Sequence, residues 1–260
     1  MKYVVRGRIV LWQGASLWAF GVPHAPVVRR STGFHSHHAI QITLAVDGGF
    51  QFHIGTENAA EVVAGPVVVI APDVSHAYDP VGRNAMIFIE PESRLGASVL
   101  RNLAGGSVAR LDPARFADIA ARLSCIWTEP RPDDATLAAL GSELCQRLAG
   151  DEMPAQPIDK RIARVIDNLS LNPDPPLDAR KAAEIACLSE SRFSHLFVEE
   201  VGLPFRTYLL WRRLMVAVDE IAAGASLTGA AHEAGFADSA HFSRTFLRMF
   251  GVQASLLEMI

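Results

Sequence analysis

Six of the nine histidines in this 260-residue sequence fall before residue 80, and four of them stand close enough to do chemistry together. "GFHSHHAIQ" sets His35, His37 and His38 within four residues, and "APDVSHAY" supplies His76 near the start of a turn. On a strand, residues two apart share a face, so His35 and His37 point the same way and His76 could complete a three-nitrogen metal site. The next polar side chain, Gln41, is neutral and a poor metal ligand. The reading adopted is therefore a pocket in which His35, His37, Gln41 and His76 orient a small polar or acidic effector, with no metal and no cofactor expected; the alternative is a metalloenzyme or metal-sensing domain joined to a helical interaction module. His24 and His53 stand alone and read as surface or packing residues. Tyr78 and Asp79 beside His76 could do acid–base work. No GxSxG elbow, phosphate-cradling glycine loop or HExxH accompanies them, and no catalytic residue is assigned.

The elements that must position these histidines are β-type. From about Val4 to Glu90 short apolar runs recur: "IQITLAV" (40–46), "GFQFHI" (49–54), "PVVVIAP" (66–72) and "NAMIFIE" (84–90). Turn-like "VDGG" and "DPVGRN" separate them, which predicts an all-β sandwich or small barrel. From 91 to 150 the texture becomes helical. Asp112 and Pro113 open a helix running to about Trp127, and a second helix after "RPDD" carries Leu137, Leu140, Leu144, Cys145 and Leu148 on one stripe. That stripe packs on the barrel or pairs with its copy in a second subunit. "GDEMPAQP" at 150–157 reads as a linker, and 158–260 as helical with no convincing strand.

The helical part repeats itself. "FSHLFVEEVGL" (193–203) and "FSRTFLRMFGV" (242–252) share Phe, Ser, Phe and Gly at equal offsets, forty-nine residues apart. Phenylalanines four apart lie on one helix face and pack inward. The opposite face then carries Glu190, Ser191, Ser194 and His195 in one copy, and Ser239, Ala240, Ser243 and Arg244 in the other. Each copy follows a small residue and a turn, Ala183 then Cys187 and Ala231 then Gly235, with Ser189 and Asp238 as helix caps: two helix-turn-helix units. Only Gly235 suits the positive φ such a turn requires. The segment Pro204 to Ala223 spans about 30 Å as a helix, near the ~34 Å between successive major-groove faces on one side of B-DNA.

"LSESRFSHLFVEEVGLPFRTYLLWRRLMVAVDEI" with "AHEAGFADSAHFSRTFLRMFGV" resembles the DNA-binding domain of AraC-type transcription regulators over nearly all of 158–255. The resemblance implies that Ser191, Ser194, His195, Ser239, Ala240, Ser243 and Arg244 approach bases. It implies phosphate contacts for Arg192 and Arg248, and for Arg206, Arg212 or Arg213 if turned toward DNA. Where the family usually has Pro after the second Gly-Val, this chain has "GVQAS", which implies a looser end with little structure beyond it. The N-terminal histidines resemble those of cupin barrels, the sensor domains commonly joined to this DNA-binding domain. Metal-binding cupins follow the paired histidines with a glutamate, and Gln41 stands nearest that place, which favours an organic effector.

Composition sets the remaining bounds. The net charge is −4, and 158–260 carries 11 Lys and Arg against 13 Asp and Glu, hence −2, so DNA affinity must rest on local patches. No apolar run approaches the ~18 residues of a membrane span. Three widely spaced cysteines give neither a disulfide framework nor a zinc pattern, and no secretion signal is evident, so a cytoplasmic protein is expected. The fold class is α+β: a cupin-like sensor at 1–90, a helical connector at 91–150, a linker at 151–157 and a double helix-turn-helix at 158–260. The expected partners are double-stranded promoter DNA, a small-molecule effector and a second copy in a homodimer, with RNA polymerase added for an activator.

Overall fold

The computed structural model describes residues 5–12, 14–21, 32–103, 105–125, 133–150, 158–171 and 177–259. His24 and the linker at 151–157 lie outside them. Eight strands form one sheet: β1 (Val5–Trp12), β2 (Ala15–Gly21), β3 (Ile40–Thr56), β4 (Ala59–Ala64), β5 (Val67–Ile70), β6 (His76–Ile89), β7 (Val108–Arg110) and β8 (Leu257–Met259). Their order is β7-β5-β3-β6-β2-β1-β8, with β4 also paired to β3. All these pairings are antiparallel except that of β8 on β1.

Two of the expected turns are not turns. "VDGG" lies inside β3 and "DPVGRN" inside β6, which pair along nearly their whole lengths. The glycines bend the strands instead of ending them. Gly48 (φ +78°) and Gly82 (φ +73°) face each other beside a register shift at Ala45/Asp47. A side chain on Gly48 would come within 2.3 Å of the Val81 carbonyl. Such a bulge kinks a strand and raises its twist without breaking the sheet.

Helices cover both faces of the sheet. On one side lie α1 (Arg94–Asn102), α2 (Ala117–Ser124) and α3 (Asp134–Ala149). Val10, Leu17, Ile42 and Ile87 pack there against Val99, Phe116, Ile119 and the α3 stripe of Leu137, Leu140, Leu144 and Leu148. The stripe is thus consumed within the chain, and a homodimer would have to use a different surface. Strand alternation sends Ile9, Trp18, Phe20 and Phe88 to the other face. There they share a core with Trp211, Leu214, Phe246 and Phe250 of the helical half. Central strands buried on both sides read as unbroken apolar runs, as "ASLWAF" does.

The helical half contains α4 (Lys160–Leu171), α5 (Ala179–Ile185), α6 (Glu190–Val201), α7 (Phe205–Ala222), α8 (Leu227–Glu233) and α9 (Ser239–Phe250). α4 to α6 and the start of α7 have a separate core built on Phe193, Phe197, Phe205 and Tyr208. After α9 the chain forms a 3-10 turn and then β8, a strand where none was expected. Its pairing with β1, Val5 to Leu257 through Gly7 to Met259, gives the C-terminal residues the backbone partners that an isolated tail lacks.

Candidate functional site

Both helix-turn-helix units form as their sequences require. Ser189 Oγ accepts from the Arg192 amide and Asp238 Oδ1 from the His241 amide, capping α6 and α9. Gly202 and Gly251 end these helices in the left-handed region. Phe193, Phe197, Phe242 and Phe246 are fully buried. The outward faces hold Glu190, Ser191, Arg192, Ser194 and His195 on α6, and Ala240, Ser243, Arg244 and Arg248 on α9, all exposed, with Ser239 half-buried. Ser194 and Ser243 donate back to the carbonyls of Glu190 and Ser239, which turns their oxygens outward as acceptors. α7, which joins the units, is 18 residues long, about 27 Å.

Arg212 does not take the phosphate-facing position suggested for it. It is turned inward and pairs with Glu90 at the end of β6. Burial pushes the Glu90 carboxyl up, and Arg212 pulls it back. Close by, His38 Nδ1 lies 3.2 Å from Asp73 Oδ2, and its Nε2 lies 3.4 Å from Glu92 Oε2, near enough for ion pairing though not aligned as a hydrogen bond. Burial opposes charge on His38, but the two carboxylates outweigh it and hold its pKa up at about 9. This polar seam was not legible in the sequence, because Glu90, Glu92 and Arg212 carry no motif and meet only through tertiary packing.

The four residues expected to form a pocket do come together. His35 and His76 pair through two backbone hydrogen bonds of 2.9 Å, so their rings lie 4.3 Å apart. His37 is not on a strand with His35: it lies in the loop leading into β3, and its Nε2 is 3.0 Å from Gln41 Oε1. Gln41 in turn donates to Thr43 Oγ1. Burial, then the neighbouring imidazoles, push His35 well down and His37 to about 3, and burial also lowers His76. Burial thus favours the neutral form of all three rings. Their nitrogens, one from each ring, lie within 4.8 Å of one another, the arrangement that can hold a metal ion.

A cavity of about 90 Å³ adjoins this cluster, between the sheet and the helical half. The expected polar lining is largely replaced by apolar side chains: Trp18, Phe20, Met86 and Phe88 from the sheet, Phe250 and Leu257 from the other side. Among the described residues, His35, Gln41, Thr32 and Tyr78 bring polar side-chain atoms to it. Trp18 meets Phe250 at 4.7 Å between rings and stacks on Phe246 at 6.4 Å, so one wall of the cavity is the buried face of α9. The amide of Gly33 donates to the Gly251 carbonyl at 2.9 Å, joining the histidine loop to the end of that helix. The repeated phenylalanines were legible as inward-facing, but not that the sheet and α9 together build this wall.

Among curated proteins none matches this sequence. Residues 182–257 match the family described as "Helix-turn-helix domain". Among solved structures, a point variant of apo ToxT from Vibrio cholerae strain SCE256 is similar at TM-score 0.60 and 10% identity, covering 94% of this chain and 96% of that one. ToxT from the same strain with bound unsaturated fatty acid is similar at TM-score 0.51 and 10% identity over 97% and 95%. ToxT from strain O395, bound to (E)-4-(8-methylnaphthalen-1-yl)but-3-enoic acid, is similar at 0.55 and 9% over 93% and 96%. At such identities the likeness concerns the fold, which spans both halves of the chain. Residues 182–257 thus match a helix-turn-helix domain family, on a chain whose fold is similar to that of ToxT over both of its halves.

Proposed function

We propose that this protein is a transcription regulator that reads promoter DNA with α6 and α9 and whose DNA reading responds to a small apolar molecule held between its domains. The observation that carries the proposal is that α9 has two faces with two tasks. Ala240, Ser243, Arg244 and Arg248 look outward, while Phe246 and Phe250 pack on Trp18 of the sheet beside the cavity. A molecule entering the cavity acts on the packing of the helix that reads DNA. It favours whichever domain arrangement binds it better, and this differential affinity is the energy available for regulation.

The lining selects the ligand class. Apolar walls favour a hydrophobic body, and His35, Gln41, Thr32 and Tyr78 can meet one polar end. No lysine or arginine lines the cavity among the described residues. The acids bound by ToxT share the apolar body, and in this chain the polar end is met by neutral groups. Functionally the sheet and α1 to α3 act as one sensor reaching to about residue 149, since β7 pairs with β5 and the three helices share its core.

On α9, Arg244 is the residue suited to recognising a base, because guanidinium bonds guanine O6 and N7 together. Arg244→Ala is expected to cost about 1–3 kcal/mol at one base pair of the operator while leaving other positions discriminated as before. Selected-operator binding by fluorescence anisotropy at fixed salt measures this. Equal weakening on every sequence would make Arg244 a phosphate contact, and no sequence preference in the unaltered protein would overturn the regulator reading.

A further inference from the structure

We propose that His35 Nε2, His37 Nδ1 and His76 Nε2 form a site for one divalent transition-metal ion, with a further coordination position open towards the apolar cavity. The choice of nitrogens follows from what each other ring nitrogen does. His35 Nδ1 is 2.8 Å from the Gly33 carbonyl and His76 Nδ1 is 2.9 Å from the Val74 carbonyl. A carbonyl only accepts, so both Nδ1 atoms carry the proton and both Nε2 atoms keep a lone pair. Gln41 gives its amide nitrogen to Thr43, which turns its oxygen to His37 and makes His37 Nε2 the donor there. The lone pair of His37 is therefore on Nδ1.

One nitrogen of each of the three rings lies within 4.8 Å of the others. His37 Nδ1 and His76 Nε2 are buried with no hydrogen-bond partner. A buried polar atom left without a partner is unfavourable, because it has given up water and gained nothing in exchange. A cation between them would give both atoms a partner. Every ring also has its outer N–H held by an oxygen, the arrangement that orients metal-bound histidines.

Gln41, unsuited as a ligand, has a place here as the group that aims His37. Its neutrality also selects the ion. Three imidazoles without thiolate or carboxylate, the donor set among the described residues, suit zinc, iron, nickel or copper and not calcium or magnesium. Nitrogens bound tetrahedrally at about 2.0–2.1 Å stand roughly 3.3 Å apart, so the rings draw together by about an ångström from their present spread within 4.8 Å. His35 and Gln41 both line the cavity, which places the open position where an effector's polar end arrives. The site lies one residue contact from α9, because the Gly251 backbone packs against His35.

The test uses the full chain stripped with chelator, checked for folding by circular dichroism, and titrated with zinc and with cobalt(II). The expected result is one equivalent bound by elemental mass spectrometry, with the visible d–d bands of cobalt in a low-coordinate nitrogen site. His37→Ala and His76→Ala are expected to lose that equivalent, and His53→Ala to keep it. Gln41→Leu is expected to weaken binding about 10–100-fold while still permitting one equivalent, as a group that orients a ligand does. Folded protein that binds no metal overturns the proposal, as does binding that survives both His37→Ala and His76→Ala. DNA affinity measured on the same samples is a separate readout, so loss of the metal site leaves the reading of α6 and α9 standing.

Discussion

His38 and His37 are sequence neighbours with opposite electrostatic fates. His37 is buried beside the His76 imidazole, which holds it near 3, whereas His38 turns to Asp73 and Glu92 and is held near 9. A histidine raised in the folded state contributes stability that is complete below its unfolded value of about 6.5 and is lost as pH rises through 9. For His38 the displacement corresponds to roughly 3 kcal/mol. His37 acts with the reverse sign: its contribution is present above about 6.5 and is lost as pH falls towards 3. Chelator-treated protein is therefore expected to be most stable near pH 6.5, falling on both sides. Urea unfolding from pH 4 to 9 measures this, and His38→Gln is expected to flatten the alkaline limb alone. Asp73, Glu92, Glu90, Arg212 and Tyr208 are the charged and titratable groups facing this seam, which confines the alkaline effect to it.

At the level of elements, the two helix-turn-helix units are copies with one local flaw. The turn residue of the second unit is Gly235 at φ +71°, and its counterpart in the first is Cys187 at φ +55°. A side chain in the left-handed region costs about 1–2 kcal/mol, of which glycine's extra unfolded-state freedom takes back about half. Cys187 is exposed and its thiol makes only a long contact to the Ile185 carbonyl, so little packing is lost on its removal. Cys187→Gly is expected to stabilise the protein by about 0.5–1 kcal/mol, and Gly235→Ala to destabilise it by a similar amount. Both are read as shifts in the chemical denaturation midpoint. The α5/α6 and α8/α9 pairs were legible because capping, turn and phenylalanine spacing all agree within each short segment. β3 and β6 were read as broken because Gly and Asp signal turns locally, while a long pairing across the sheet decides otherwise.

For the whole molecule, the sheet is the shared wall of two bodies. Its one face closes over α1 to α3, and its other face is covered by the second helix-turn-helix unit, with β8 added to its edge. Arg212 and Glu90 pin α7 to this face, with side chains 23% and 17% exposed. Breaking a largely buried pair leaves one charge uncompensated, at a cost of about 3 kcal/mol. Arg212→Ala is accordingly expected to lower the cooperativity between halves, and calorimetry is expected to resolve a separate, earlier transition of the helical part. A single unchanged transition would show that the aromatic contacts of Trp18 suffice to couple the domains. The same docking holds α9 on its inner side against the sheet, through Phe246 and Phe250 on Trp18.

The sequence by itself determined the features whose causes are local: the caps Ser189 and Asp238, the helix stops at Gly202 and Gly251, the paired phenylalanines, and hence the two outward faces of α6 and α9. It also brought His35, His37, Gln41 and His76 into one proposed site. Tertiary structure alone decided which nitrogen of each ring is free, because that depends on the carbonyls of Gly33 and Val74 and on Gln41 in place. It alone turned Arg212 from DNA to Glu90, spent the leucine stripe of α3 inside the chain, and made the chain's end a strand. Each of these rests on groups far apart in sequence, for which a buried charge or an unpaired backbone edge has a partner only once the chain is folded.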